Sequence, residues 1–325
     1  MNQLLEQLNA EPALAWKGTV NVLGQAPDSS AAVKAARLTR NSPLVFELLE
    51  NRDLSGHAYR KWTGSHWTLS LLADLGCPPG DESLRPLMEE TFACWLGEAH
   101  RKHIRLIAGR TRRCASQEGN AIWSSLRLGL ADGRTEELVA NLLRWQWPDG
   151  GWNCDKRPEA DTSSFMETLI PLRALALYAQ VAGDPRVGIA AERAAEVFLK
   201  RRLYRRQVDG SVMDPHFTLL SYPPYWHYNI LCGLKVMAEA GFISDPRCQE
   251  ALDLLESRRL PGDGFPAEES FSRLTRPQLS GYSPVAWGGR TTKKMNPFVT
   301  ADALYVLRMA GRRVCRNSSG NREQK

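Results

Sequence analysis

The sequence predicts an all-α protein made of repeated helix pairs, and three observations support this class. Apolar residues recur at helical spacing, for example at Phe165, Leu169, Leu172 and Ala176. Three of the Asp-Gly pairs, which begin at positions 149, 209 and 263, are spaced by 60 and 54 residues, and this spacing indicates a tandem repeat. The alternation typical of β-strands is nearly absent. Because stacked helix pairs bury their second faces against their neighbours, we expect one continuous repeat domain.

The elements follow in order along the chain. Residues 1–55 carry no glycine-rich repeat and contain two turn signals, so they predict a small helical extension packed on the main body. Residues 56–312 predict about five helix pairs. The first helices of the pairs are expected to begin near Trp67, Trp123, Phe165, Trp226 and Phe298. Residues 313–325 are polar and are expected to be disordered.

Turns between paired helices repeat as well. Gly183-Asp184-Pro185-Arg186 matches Ser244-Asp245-Pro246-Arg247 after 61 residues. In both turns the Asp suits the N-cap position and the Pro suits the first helical position. The matching turns predict the same helix start in two successive repeats.

The stretch from Gln146 to Trp152 is the most specific motif in the chain. It has the form Q-x-x-D-G-G-W, with Asp149, Gly150 and Gly151 at its centre. The Asp-Gly pair favours a turn, and the Gln146 side chain can form hydrogen bonds with both the loop and a helix end. Trp152 can pack on the preceding helix, which we expect to end near Leu143. We therefore predict that this motif joins repeats and carries out no chemistry.

Composition and charge narrow the function classes. The net charge is +6 and the isoelectric point is about 9.0, with basic residues clustered at 101–113 and 200–206. Solvated helix faces are the favoured interpretation of these clusters, with contact to an anionic lipid head group or a diphosphate second. Nucleic-acid binding is not expected, because no binding motif accompanies the charge.

The cysteine pattern and hydropathy indicate a cytoplasmic protein. Seven scattered cysteines without a C-x-x-C pair are typical of a reducing compartment. The N-terminal residues lack the pattern of a signal peptide, and no apolar run reaches membrane-spanning length. Any membrane contact is therefore expected to be peripheral, and the oligomeric state is left open.

The Gln146–Trp152 motif, together with the stretches Tyr59–Trp67 and Tyr222–Tyr228, resembles the squalene/hopene cyclase and protein prenyltransferase superfamily, in its uncharacterised bacterial branch. The resemblance covers roughly residues 60–312. It implies an α/α toroid, which is two concentric rings of helices around a cavity. It also implies that inner helices begin after the glycine-rich loops and that the cavity binds an isoprenoid or another apolar small molecule.

The acids and metal ligands of that superfamily are incomplete in this chain. No two aspartates are adjacent, which removes both the Asp-x-Asp-Asp acid and the Asp-Asp-x-x-Asp magnesium site. The prenyltransferase zinc site, Asp-x-Cys with a later His, is matched by Asp161 and His227, but Ser163 replaces the thiolate. Because a hydroxyl is a poor zinc ligand, we expect no metal or cofactor and predict that Asp161 caps a helix. Zinc bound by Asp161, His227 and Cys154 is the alternative.

Further candidate residues come from other comparisons and from the aromatic inventory. Cys114 and Gln117 have the spacing of the internal thioester of complement-type toroids, which coincidence explains best. The catalytic candidates are Asp161, His227, Asp155 and Cys114. The residues predicted to line an aromatic cavity are Trp62, His66, Trp67, Trp123, His216, Tyr225, Tyr228 and Trp287.

Three function classes remain open from the sequence. The first is a prenyltransferase-like or cyclase-like protein that binds an isoprenoid, with its reaction unassigned. The second is a scaffold or binding module without catalysis. The third is a glycan-processing (α/α)-barrel enzyme with paired carboxylates, for which Asp155, Asp161 and Glu167 are candidates. A deep cavity lined by aromatic residues and few charges would favour the first class. A ring whose centre is filled by side chains would favour the second, and an open cleft with two facing carboxylates would favour the third.

Overall fold

The computed structural model describes residues 2–52, 56–275 and 281–314. Its helices are α1 (Asn2–Asn9), α2 (Ser30–Arg40), α3 (Pro43–Glu50), α4 (Ser65–Leu75), α5 (Arg85–Leu96), α6 (Glu98–Arg101), α7 (Ser116–Arg127), α8 (Gly133–Trp145), α9 (Phe165–Ala182), α10 (Pro185–Leu199), α11 (Ile230–Glu239), α12 (Gln249–Ser257) and α13 (Pro297–Met309). Strands β1 (Arg105–Ile107) and β2 (Arg110–Arg112) form a short antiparallel hairpin. Most of the predicted tail, residues 315–325, lies outside the described part.

The helices form a double ring, which confirms the predicted all-α toroid. Helices α4, α7, α9, α11 and α13 pack in succession as the inner ring. Helices α5, α8, α10 and α12 each pack on the inner helix that precedes them. Apolar stripes explain this order, because α8, for example, buries Leu138, Val139 and Leu142 on one face.

The N-terminal segment occupies the place of an outer partner for α13. A π-helical turn, Lys17–Val22, packs against α13, and α3 packs against α4. Leu4, Leu8 and Leu14 are buried in the main core. Because these segments bridge α13 and α4, the ring is closed by the start of the chain.

The inner-helix starts match the expected positions to different degrees. Helices α4, α9 and α13 begin within two residues of the expected starts. Helix α7 begins earlier, at Ser116, and α11 begins later, at Ile230. The late start of α11 follows from two prolines at 223 and 224 and from the capping box of Asn229, whose side chain accepts from the Cys232 N–H.

The repeated turns have the predicted caps. The Asp184 side chain accepts from the Arg186 N–H, and α10 begins at Pro185. The Asp245 side chain accepts from the Arg247 N–H, but there Pro246 starts a short 3₁₀ turn before α12.

The Gln146–Trp152 loop joins repeats as predicted. Gln146 Nε2 donates to the carbonyl oxygens of Gly150 at 2.7 Å and Ala190 at 2.8 Å, which ties the loop to α10. Trp152 is fully buried, and its Nε1 donates to the Leu142 carbonyl of α8 at 3.1 Å. The loop thus fixes the positions of α8 and α10.

The predicted capping role of Asp161 is wrong. Helix α9 begins at Phe165, Ser164 is its N-cap residue without a side-chain bond, and Asp161 is exposed. Asp149 instead accepts from Ser163, from the backbone N–H at 2.7 Å and from Oγ at 2.6 Å. The carboxylate that organises this helix start therefore comes from the preceding glycine-rich loop.

The basic cluster at 101–113 is not a solvated helix face. It includes the β1–β2 hairpin, and Arg112 and Arg113 at its end are buried. Arg112 donates to the Ala160 carbonyl at 2.7 Å and stacks over Trp147, while Arg113 Nε donates to Glu118 at 2.8 Å. These two arginines are buried because backbone, aromatic and carboxylate partners surround them.

Candidate functional site

A cavity lies inside the ring, near the N-terminal ends of the inner helices. Its free volume is about 80 Å³, and it opens to solvent. Aromatic side chains form much of its wall, namely Trp67, Trp123, Tyr222, Tyr225, Trp226 and Tyr228. His227 also lines it, and so do four of the residues predicted to line a cavity, namely Trp67, Trp123, Tyr225 and Tyr228.

Stacking holds the wall around His227 and Tyr225 in place. His227 stacks on Trp226 with ring centroids 4.1 Å apart and on Phe271 at 3.7 Å. Tyr225 stacks on the buried Trp62 at 4.1 Å. Burial lowers the pKa of His227, so its imidazole is neutral at physiological pH. These contacts give the cavity rigid flat surfaces.

The cavity ends on a buried group of charged side chains, which we call the charge network. Its members are Lys17, Asp74, Arg173, Lys235, Glu239 and Asp302. Three cations and three carboxylates balance one another. The members come from α4, α9, α11, α13 and the Lys17–Val22 turn, so the network connects four inner helices to the N-terminal segment.

Two carboxylates and two ammonium groups form the centre of the charge network. Lys17 Nζ donates to Asp74 Oδ2 at 2.7 Å and to Asp302 Oδ1 at 2.8 Å. Lys235 Nζ donates to Asp74 Oδ1 at 2.7 Å and to Asp302 Oδ2 at 2.9 Å. Since both carboxylates share each nitrogen, Asp74 Oδ2 and Asp302 Oδ1 are at most about 5.5 Å apart.

Asp74 is held in its charged form by its partners. Arg173 donates to it at 2.8 Å, and the Tyr222 hydroxyl donates to it at 3.0 Å. Burial alone raises the pKa of a carboxyl group, but Lys17, Lys235 and Arg173 together hold the pKa of Asp74 well below its usual range. Asp74 is therefore a carboxylate at physiological pH.

A second hollow lies on the side of the charge network nearer the C-terminal ends of the inner helices. Asp74, Arg173 and Lys235 line both spaces. Arg127 lines the second hollow and stacks over Trp16, and burial lowers its pKa. The charge network thus divides the interior of the ring into two compartments.

A separate cluster contains two thiols and a carboxylate. Cys114, Cys154 and Glu167 are half-buried, and one potential ligand atom of each lies within 4.8 Å of the others. Cys154 Sγ is 3.6 Å from Glu167 Oε1. A bond from the Cys114 thiol lowers the pKa of Cys154, and burial raises the pKa of Glu167. Among the described residues, these three side chains form a group that could together hold a metal ion.

Neighbouring groups fix the carboxylate of this cluster. Glu167 Oε2 accepts from the Ser116 backbone N–H at 3.1 Å and from Ser116 Oγ at 2.8 Å. Burial raises the pKa of the Tyr59 phenol, and the charges of Glu167 and Cys114 raise it further. The Tyr59 ring packs on Trp67 with centroids 5.0 Å apart, so one aromatic layer connects the cluster to the cavity wall.

Some of the residues predicted to line the cavity lie elsewhere. Trp62, His66 and Trp287 are buried and pack on the rings that line the cavity, Tyr225, Trp67 and Tyr222. His66 has its pKa lowered to about 3, mainly by burial, and is neutral. His216 is exposed and bonds Glu269 at 2.8 Å, away from the cavity lining.

The predicted catalytic and metal residues are distributed over three places. His227 lies in the cavity wall, and Asp161 is exposed on the loop before α9. Asp155 pairs with Arg157, whose hydrogen bonds lower the pKa of Asp155 to about 2. The alternative zinc set of Asp161, His227 and Cys154 is not brought together, since Cys154 groups with Cys114 and Glu167. The Gln117 side chain accepts from Arg113 at 2.7 Å.

Sequence reasoning missed the charge network. A signal was present, because each of its inner helices carries an isolated charge within an apolar run, as in Leu71-Leu72-Ala73-Asp74-Leu75 and Gly233-Leu234-Lys235-Val236. Charged residues are almost never fully buried unless they are paired. When several helices each carry a single charged residue in the apolar run that faces the core, those charged residues are therefore expected to pair with one another.

No family model matches the chain, and no curated protein does. Two solved structures are similar. One is the unsaturated glucuronyl hydrolase from Bacillus sp. GL1, described as responsible for the degradation of glycosaminoglycan, with 15% identity, 92% of this chain and 84% of that chain covered, and a TM-score of 0.44. The other is the Lin0763 protein from Listeria innocua, with 13% identity, 95% and 84% covered, and a TM-score of 0.41.

These comparisons correct the predicted family. Neither similar structure is a squalene/hopene cyclase or a protein prenyltransferase, so the predicted membership of that superfamily is wrong. The prenyltransferase, cyclase and isoprenoid-binding functions that it implied are withdrawn with it. The two likenesses are too weak to assign an activity to this chain. Within the described ranges, no helix has the length and hydropathy needed to cross a membrane.

Proposed function

We propose that the chain is a glycan-processing enzyme that binds a sugar in the cavity inside the ring. The observation that carries the proposal is the pair of carboxylates, Asp74 and Asp302, at the end of a cavity with aromatic walls. Retaining glycosidases use two carboxyl groups about 5–5.5 Å apart. The upper limit of about 5.5 Å between Asp74 Oδ2 and Asp302 Oδ1 is compatible with that range.

The two carboxylates differ in their surroundings, which suits different roles. Asp74 has three cationic partners and the Tyr222 hydroxyl, so it remains ionised and can stabilise positive charge that develops on a sugar ring. Asp302 has two ammonium partners, both shared with Asp74. Asp302 therefore accepts hydrogen bonds and holds Lys235 in place, and the proton for a leaving group would come from the Lys235 ammonium, which lines the cavity and donates to both carboxylates.

The cavity wall suits a sugar because it combines flat apolar surfaces with polar groups. Trp67, Trp226 and Tyr225 offer ring faces on which the C–H side of a sugar can pack. Ser70, Asn120 and Ser221 line the same space and can bond hydroxyl groups. An apolar ligand would leave these polar groups and the charge network without new partners.

The test measures binding and turnover on neutral and uronate-containing oligosaccharides. We expect at least one of them to raise the melting temperature and to be cleaved, because a ligand selective for the native state stabilises it. Trp226→Ala should weaken binding, since Trp226 is a half-buried wall residue outside the charge network. Asp302→Asn should retain binding and lose turnover. Arg186→Ala, an exposed residue in the first turn of α10, is the control for both assays.

Two results would contradict the proposal. The first is the absence of a melting shift with every oligosaccharide at saturating concentration. The second is cleavage by Asp302→Asn at the wild-type rate, which would remove the carboxylate pair from the reaction. Binding without any cleavage would leave a sugar-binding protein in place of the enzyme.

A further inference from the structure

We propose that Cys114, Cys154 and Glu167 bind one zinc ion and leave its fourth position open. Zinc binds thiolate and carboxylate oxygen ligands, and sites with three protein ligands keep one position for water or a substrate. This proposal does not depend on the proposed function, because the cluster lies apart from the charge network and requires no sugar.

The distances within the cluster fit a tetrahedral ion. With zinc–sulfur bonds of about 2.3 Å and zinc–oxygen bonds of about 2.1 Å, a tetrahedral angle places sulfur and oxygen about 3.6 Å apart. Cys154 Sγ and Glu167 Oε1 are 3.6 Å apart. The three ligand atoms lie within 4.8 Å of one another, so an ion can join them after small side-chain rotations. Binding would release the two thiol protons to solvent.

The ligands are held by elements whose positions do not depend on a metal ion. Cys154 follows the fully buried Trp152 by two residues, and Cys114 lies just before the start of α7. Glu167 is in the first turn of α9, and Ser116 donates two hydrogen bonds to its Oε2 atom. Hydrogen bonds of this kind, from a residue that does not touch the metal, orient a ligating carboxylate and leave its other oxygen free for the metal.

The cluster offers three ligand atoms, which leaves one position of a tetrahedral ion without a protein ligand. The cluster therefore fits a zinc site that binds a solvent molecule or a polar substrate group more closely than a structural site with four protein ligands.

The experiment measures zinc in the full-length protein, purified without chelator in reducing buffer. After incubation with equimolar zinc and gel filtration, we expect one zinc per chain by plasma mass spectrometry. Cys154→Ser and Cys114→Ser should each retain below about a tenth of that amount at the same free zinc, since each loses one of three ligands. Cys248→Ala, a buried cysteine outside the cluster, should retain the wild-type amount and is the matched control.

Cobalt substitution reports the ligand type directly. In the wild type we expect an intense near-ultraviolet thiolate-to-cobalt band and the visible spectrum of a tetrahedral ion. The band should fall by about half in Cys114→Ser at saturating cobalt, because its intensity follows the number of thiolate ligands. Circular dichroism verifies that each variant is folded, so a loss of metal is distinguished from a loss of structure.

Three results would overturn the proposal. One is wild-type protein that holds no zinc after reconstitution under reducing conditions. Another is undiminished zinc in the double variant Cys114→Ser/Cys154→Ser. The third is a Cys114–Cys154 disulfide that persists in reducing buffer, seen as a mass about two units lower and the loss of two titratable thiols. Sugar binding is measured separately, so failure of either proposal is recognised without the other.

Discussion

Removing the Lys17 ammonium should strongly destabilise the fold. Lys17 is fully buried and donates to two carboxylates at 2.7 and 2.8 Å. In Lys17→Met the side chain keeps nearly the same length, but two cations are left facing three carboxylates. Removing one partner of a buried ion pair typically costs about 3–5 kcal/mol. Two lost charge-assisted bonds, at about 1.5–3 kcal/mol each, give a similar figure.

The measurement is the free energy of unfolding from urea titrations followed by circular dichroism. At pH 7 we expect a loss of about 3–5 kcal/mol for Lys17→Met. The control is Arg101→Met, which breaks an exposed pair with Glu137 and should change stability by about 1 kcal/mol or less. If the two variants differ by less than about 1 kcal/mol, the charge network does not hold the ring closed.

The pH dependence gives a second check on the same variant. The folded-state pKa of Asp74 is depressed, so its contribution is present above the unfolded pKa of about 4 and is lost as the pH falls towards the folded value. Lys17→Met raises the folded pKa of Asp74, so the variant loses less stability on acidification than the wild type. The difference between the two proteins should therefore shrink below about pH 4. A difference that is constant from pH 7 to pH 3 would refute this assignment.

Two further variants test the glycine-rich loop by urea unfolding. Trp152→Ala removes a fully buried indole and its bond to Leu142, so it should cost about 3–5 kcal/mol; an unchanged unfolding midpoint would mean that the loop does not join the repeats. Gly150→Ala should cost more than about 2 kcal/mol, because Gly150 has φ of +108° and an added Cβ would lie 2.1 Å from the Arg193 carbonyl oxygen. Gly210→Ala is its matched control, since Gly210 also has positive φ (+71°) but open space around it, and equal losses in the two variants would remove the steric argument.

The fold could be predicted from the sequence because its signals are local and repeated. Apolar periodicity located the inner helices, and the pattern of α9 from Phe165 onwards was correct to the residue. The role of Trp152 followed from its size and from the neighbouring turn glycines. The Asp161 cap failed because Asp149, fourteen residues before Ser163, supplies the carboxylate. Contacts of that kind depend on how a loop folds back, which spacing along the chain does not encode.

The candidate sites were harder to predict because they join residues that are far apart in the sequence. Lys17 and Asp302 are separated by 285 residues and meet only because the N-terminal segment closes the ring. Cys114 was singled out for its spacing to Gln117, whereas its neighbours in space are Cys154 and Glu167. The family resemblance misled the functional prediction because a glycine-rich loop that joins helix pairs constrains the packing of repeats. Such a loop places no constraint on the chemistry inside the ring.

The loop motif also connects stability to the proposed zinc site. Its burial of Trp152 fixes the chain just before Cys154, and its Asp149 holds Ser163 just before α9. Glu167, in the first turn of α9, is therefore placed by the same loop that places Cys154. The loop that joins the repeats can thus control the positions of the proposed zinc ligands. Cys154 lies two residues after Trp152, and Glu167 lies four residues after Ser163. It follows that Gly150→Ala should weaken zinc binding at temperatures where the protein remains folded. Lys17→Met acts at the charge network, so it should lower stability and leave the zinc stoichiometry of the folded protein unchanged.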